Sequence, residues 1–226
     1  YPSLPPLLAA QMLGVPTIIH EQNAVMGRAN RILAPRATRV GMGFPSLTNV
    51  KAETLQKAVH VGNPVREAVL KAASAYAAPE SGGPIRLLSF GGSQGARVMS
   101  VTVPPAIAAL DPALRARLKV VQQSRPEDLE HADEIYRKAG VKAELSPFFR
   151  DLPQRMADAH LVIARSGAST VAELCVIGRP SLLVPLPHSL DNDQLENARS
   201  LEAAGGGTLV PQEDFPPVNL ARLLTD

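Results

Sequence analysis

Short apolar segments, each followed by a helical pattern, recur along nearly the whole chain, and this alternation constrains the fold more than any other feature. Ile85–Phe90 precedes a helical stretch over Ala96–Leu110, and Lys119–Gln123 precedes one over Glu127–Ala139. Val141–Leu145 precedes a short helix over Leu152–Ala157, Leu161–Ala164 precedes Thr170–Ile177, and Ser181–Val184 precedes Gln194–Ala204. Earlier in the chain, a helix over Leu7–Leu13 closes at Gly14. Strands over Val15–His20, Thr38–Met42 and Ala58–Val61 then flank a helix over Arg28–Leu33. Strands this continuously apolar are covered on both faces, so the pattern predicts an α/β protein with parallel sheets. A Pro-, Gly- and Ser-rich stretch over Ala77–Pro84 reads as a linker, and no fixed-period repeat is present.

At 226 residues the chain exceeds one average domain and falls short of two complete α/β domains. It begins without Met, at Tyr1-Pro2-Ser3-Leu4-Pro5-Pro6, and both ends read as cut. A net charge of +2, with no basic block interleaved with aromatics, argues against nucleic acid as a partner. The 4% aromatic content and the lack of Trp mean that any sugar would be read by hydrogen bonds rather than stacking. The single cysteine, Cys175, excludes an intrachain disulfide and reads as a small core residue in an apolar helix. No apolar run approaches the roughly 20 residues a membrane-spanning helix needs.

In parallel sheets, ligands bind at the carboxyl ends of strands, and the polar and Gly-rich clusters of this chain fall there. Ser89-Phe90-Gly91-Gly92-Ser93-Gln94-Gly95-Ala96-Arg97 joins a strand to a helix, and its glycines let free helix N–H groups and the Ser93 hydroxyl face an anion. A diphosphate is the natural guest, although a Gly-rich loop is as often only a turn. In Arg165-Ser166-Gly167-Ala168-Ser169-Thr170-Val171-Ala172-Glu173 two readings of Glu173 stand: capping-box partner of Thr170, or acceptor for ribose hydroxyls. Asp191-Asn192-Asp193-Gln194 either caps a helix or recognises sugar hydroxyls, and it lacks the spacing of a metal loop. Arg66, after Gly62-Asn63-Pro64, either lies free on a helix or offers its fork of donors to a phosphate. His20 and Glu21 are acid/base candidates, and five scattered His residues make no zinc site.

Six segments in order carry a resemblance to the MurG family of N-acetylglucosaminyltransferases: Tyr1 to Pro6, His20-Glu21-Gln22-Asn23, Gly62-Asn63-Pro64-Val65-Arg66, Gly91 to Arg97, Arg165-Ser166-Gly167-Ala168, and Asp193-Gln194 with Asn197-Ala198. The resemblance covers essentially the whole chain. It implies a GT-B fold, two Rossmann-like domains with the active site in the cleft between them. Residues 1–62 are then the last part of the acceptor-side domain, and residues 63–226 the donor-binding domain, cut at its C-terminus.

For the site, the resemblance implies Arg66 and Ser93 at the diphosphate of UDP-N-acetylglucosamine, Glu173 on the ribose, and Phe149 beside the uracil. Gln194, Asp193 and the backbone of Ala168 meet the sugar, and Asn23 approaches from the other domain. The family often has Gln where Asp193 stands. The implied activity is inverting transfer of N-acetylglucosamine to the 4-hydroxyl of undecaprenyl-linked MurNAc-pentapeptide, in peptidoglycan synthesis at the cytoplasmic face of the membrane, with no metal or other cofactor. A Gly-rich loop bearing the usual base candidate is expected upstream of Tyr1. Glu21 is therefore the acid/base candidate within the chain, with the orienting of neighbouring donors as its other reading, and transfer by these residues alone is not expected. The alternatives are another GT-B transferase using a UDP-sugar and a lipid acceptor, or a noncatalytic UDP-sugar-binding module.

Overall fold

A computed structural model describes residues 2–92 and 95–225. The first part of the chain runs α1 (Leu4–Met12), β1 (Ile18–Glu21), α2 (Arg28–Leu33), β2 (Arg39–Met42), α3 (Ala52–Leu55) and β3 (Ala58–His60). Its strands form a parallel sheet in the order β1-β2-β3, with Ile19 beside Val40 and Gly41 beside Val59. Ile19, Met26, Leu33, Val40 and Leu47 form its core. After β3 the chain crosses over through α4 (Glu67–Ala72), which packs on helices of the second sheet rather than on the first.

The second part runs β4 (Ile85–Phe90), α5 (Arg97–Ala108), α6 (Pro112–Arg117), β5 (Leu118–Gln123), α7 (Leu129–Lys138), β6 (Lys142–Ser146) and α8 (Leu152–Asp158). It continues through β7 (Leu161–Ala164), α9 (Ala168–Ile177), β8 (Ser181–Leu183), α10 (Asp193–Ala203), β9 (Gly207–Leu209) and α11 (Pro217–Leu223). All neighbouring strands are parallel, in the order β6-β5-β4-β7-β8-β9. Counted from β4 this is 3-2-1-4-5-6, the doubly wound arrangement. The direction of winding reverses between β4 and β7, which leaves a crevice at their carboxyl ends.

Alternation along β4 divides the core in two. Leu87 joins Met99, Val103, Ile107, Tyr136 and Leu220 on one face of the sheet. Its neighbour Leu88 joins Val69, Met156, Leu174, Ile177 and Ala198 on the other. A continuously apolar strand is what such two-faced burial demands.

Several sequence expectations need correction. Helices α3, α4, α6 and α11 and strand β9 were not foreseen: the helices are too short to show a period, and Gly205-Gly206-Gly207 reads as a turn rather than a strand start. Helix α9 begins two residues earlier than expected, at Ala168, with Gly167 in the extended N-cap position and no side-chain cap. Thr170 is thus already inside the helix, and the capping box with Glu173 does not form. Cys175 is exposed rather than in the core, because the buried stripe of α9 runs through Val171, Leu174 and Ile177.

Candidate functional site

The loops after β4, β5, β6 and β7 enclose the crevice. Gly91 opens the first, where any Cβ would lie 2.3 Å from the backbone nitrogen of Ala96, so only glycine lets the loop fold back on itself. Gly92 and Gly95 then take φ of 90° and 69°, values that other residues rarely adopt. Ser93, the predicted diphosphate contact in this loop, lies outside the described residues.

A glutamine fixes this loop to the next. Gln123, buried at the end of β5, accepts a hydrogen bond from the Gly91 N–H at 3.2 Å and donates to the Pro147 carbonyl at 3.0 Å. It therefore couples the Gly-rich loop to the Pro147-Phe148-Phe149 turn. Sequence reasoning missed Gln123; its signal was a polar residue ending an apolar strand beside the two polar clusters.

Arg66, at the start of α4, reaches across 107 residues of sequence to Glu173 on α9. Its Nε and Nη2 donate to the two carboxylate oxygens at 2.9 and 3.1 Å. Glu173 is largely buried and the guanidinium is mostly exposed, so the pair lines the crevice with the charged edge toward solvent. A carboxylate has about four lone-pair sites and a guanidinium five N–H donors, so both groups keep capacity for a ligand. Pairing the two does not conflict with the separate ribose and phosphate roles drawn from sequence.

Around this pair lies a cavity of about 460 Å³, which Phe90, Gln123, Phe149 and Thr170 complete. Phe149 is itself buried, its ring covered by the Arg155 guanidinium at 4.3 Å from the centroid. A second lobe of about 540 Å³ shares Gly92 and Thr170 with the first and takes in Gly167, Gln194, Arg97, Arg125 and Arg165. The Arg165 guanidinium is used locally, donating to the Val184 and Pro185 carbonyls and to Gln212, and its burial pulls its pKa down. The buried Nε of Arg125, by contrast, has no protein partner among the described residues. Arg125 is the second residue that sequence reasoning passed over.

The structure thus brings Arg66, Phe149 and Glu173 into one lobe and Gln194 into the other. Asn23, Ala168 and Asp193 line neither lobe. Gln194 ties its own loop, its Oε1 accepting from the Leu186 N–H at 2.9 Å, while Asp193 Oδ1 accepts from the Gln194 N–H at 2.8 Å. Asp191 does not cap α10: it accepts from Arg31 of α2 at 3.4 Å, linking the two parts of the chain.

Glu21 sits on the facing wall, only 4% exposed. Its carboxylate accepts from the Asn23 N–H, the Gly27 N–H and the Asn30 amide at 3.1, 2.9 and 2.7 Å. All three donors belong to residues 23–30, so the carboxylate ties that segment to the end of β1. The wall is clasped to the second sheet by Asn197, which has no exposed surface. Asn197 accepts from the Ala24 N–H at 2.8 Å and donates to the Asn23 side chain and the Ser166 carbonyl at 3.0 and 3.1 Å. Among the described residues no cluster of His, Cys, Asp and Glu could hold a metal ion, and no helix is long and apolar enough to cross a membrane.

Residues 86–226 match the C-terminal domain of Glycosyltransferase family 28, and residues 1–42 match its N-terminal domain. A relative from Methylobacterium sp. strain 4-46 is 61% identical over 98% of this chain and 60% of its own length. One from Rhodopseudomonas palustris is 55% identical over the whole chain and 62% of its own length. Both are named UDP-N-acetylglucosamine--N-acetylmuramyl-(pentapeptide) pyrophosphoryl-undecaprenol N-acetylglucosamine transferase. The crystal structure of MurG from Acinetobacter baumannii superposes with a TM-score of 0.81 at 30% identity, over 99% of this chain and 61% of that one. The chain therefore spans about 60% of the length of the curated relatives it matches.

Proposed function

The chain belongs to glycosyltransferase family 28, and from that premise we propose that it supplies the donor-binding side of an enzyme transferring N-acetylglucosamine from UDP-N-acetylglucosamine to lipid-linked MurNAc-pentapeptide. The observation that carries this reading is the crevice at the β4/β7 reversal. A Gly-rich loop, an Arg66–Glu173 pair and the 147–149 turn surround it, and a Gly-rich first βα turn at such a reversal supports the binding of a nucleotide diphosphate.

In this reading the uracil lies by Phe149 and is read by backbone groups of its turn, while Glu173 accepts from the ribose hydroxyls. Arg66, Arg125, Ser93 and the N–H groups at the starts of α5 and α9 face the diphosphate. The sugar extends toward Ala168, Asp193 and Gln194, with Asn23 opposite. The acceptor 4-hydroxyl displaces UDP from the anomeric carbon with inversion. The reaction gains most from the donors already aimed at the leaving diphosphate, because they need no reorganisation as its charge develops. These groups meet that charge themselves, so the proposal includes no cofactor. Glu21 is assigned the positioning of the Asn23 loop rather than proton abstraction. A lipid-linked acceptor places the protein at a membrane surface, and the proposal sets it peripherally on the cytoplasmic face.

Titration calorimetry with UDP, UDP-N-acetylglucosamine and ADP tests the reading. The two uridine nucleotides should bind at least about tenfold more tightly than ADP, the discrimination expected when a site built to hydrogen-bond one base meets another. Equal affinity for UDP and ADP would sink the assignment of the 147–149 turn.

A further inference from the structure

A cavity of about 700 Å³ lies away from the crevice, at the opposite end of the second sheet. Arg86, Lys119 and Lys142 line it, each the first or second residue of its strand. Pairing sets them side by side, Arg86 opposite Lys119 and Lys119 opposite Lys142, so three cations stand in one row on one face. The next row on that face is Leu88, Val121 and Glu144, so the floor is apolar along β4 and β5 and carries a carboxylate on β6.

Such a row is costly by itself, since like charges directly opposite each other on neighbouring strands repel. Lysine on an edge strand discourages sheet-to-sheet pairing, which accounts for Lys142 on β6. It does not account for Lys119 on β5 or Arg86 on β4, which are inner strands of the sheet. Two of the three carboxylates that line the cavity are engaged elsewhere. Glu144 is engaged by the Arg155 fork, two contacts of 2.8 Å, and Asp158 accepts from Gln154. Asp133 of α7 also lines the cavity, together with Arg137. Neither Lys119 nor Lys142 joins an ion pair among the described residues. Arg86 is held in place by the Asp158 carbonyl and by the His160 ring at 2.7 Å.

We infer that this cavity is a second ligand site, for a small molecule carrying at least two carboxylate or phosphate groups. Neighbouring strands lie about 4.8 Å apart, so the row spans roughly 10 Å, a length that fits a tricarboxylate or a short phosphate chain and not a single monovalent anion. The volume is that of a small-molecule pocket.

Citrate and tripolyphosphate are the probes, titrated calorimetrically into the full chain, with acetate at matched ionic strength as the monovalent control. Lys119→Ala/Lys142→Ala should weaken citrate binding at least about tenfold, as expected for losing charge-assisted contacts. Lys71→Ala/Lys138→Ala removes the same charge from lysines that already pair with Glu67 and Glu134, and should change little. Without ligand, the first double variant should melt no lower than wild type, because like-charge repulsion is relieved, so its loss of binding is not a loss of folding. Three results would overturn the site. One is equal weakening by the two double variants; another is no binding at about 10 mM citrate. The third is loss of binding in Arg66→Ala instead, which would place the anion in the nucleotide crevice.

Discussion

The two walls of the crevice use similar residues to opposite ends. On the wall formed by the first sheet, Glu21, Asn23 and Asn30 bond to one another and, through Asn23, to Asn197 of α10, and Glu21 and Asn197 are buried. On the wall formed by the second, Arg66 and Glu173 pair yet stay at the edge of open space, and Arg125 keeps a buried Nε donor with no partner among the described residues. A closed polar network rigidifies, whereas an open one has bonds left to offer. The first wall is therefore read as a fastening and the second as a recognition surface.

The sharpest way to break that comparison is to cut the fastening. Asn197→Ala leaves the Ala24 N–H, the Asn23 side chain and the Ser166 carbonyl without a buried partner, and should cost about 2–4 kcal/mol of stability in urea denaturation. UDP affinity of the folded fraction should hardly move. A large fall in UDP affinity with unchanged stability would make Asn197 a ligand contact and dissolve the distinction.

A smaller effect tests the other wall. Arg66→Ala and Glu173→Gln should each weaken UDP binding by about 1–2 kcal/mol, and a double-mutant cycle should return a coupling of about 0.5 kcal/mol or more, because the two side chains share hydrogen bonds. Strict additivity in calorimetry would mean that the pair does not act as a unit toward the nucleotide.

The smallest expected effect sits beneath the recognition surface. Arg155 covers the Phe149 ring while its fork holds Glu144, so Arg155→Ala should loosen the 147–149 turn and, if that turn reads the base as proposed, lower the preference for UDP over ADP by about 0.5–1 kcal/mol, the order of one cation–π contact. Arg155→Lys should restore less than half of that preference, since ammonium cannot keep a planar fork. An unchanged preference in both variants would show that the turn is held without Arg155, by Gln123 and the Ser146 hydroxyl.

These contrasts also show what the sequence could and could not disclose. Strands such as Ile85–Phe90 and Leu161–Ala164 were legible because burial on both faces writes an uninterrupted apolar run. The loops after them were legible because glycine at 91, 92 and 95 answers a backbone demand that few residues can meet. The Arg66–Glu173 pair was not, since nothing local marks two residues 107 positions apart as partners. The role of Glu21 was half legible: a carboxylate at a strand end suggested acid/base chemistry, and only the three donors that surround it favour positioning. Helix α4 left no periodic trace in six residues, although it carries Arg66 to the crevice.

Gln123 has a consequence for how donor choice can change. One primary amide holds the Gly-rich loop with its oxygen and the 147–149 turn with its nitrogen, so the gauge between the two loops is the length of a single side chain. That gauge comes only in whole methylenes. Asparagine would draw the two loops together or release one of them, and glutamate would keep the span while losing the donor to Pro147. A relative adapted to a nucleotide of different reach cannot adjust one loop at a time; it must replace the spacer and re-form both ends in concert.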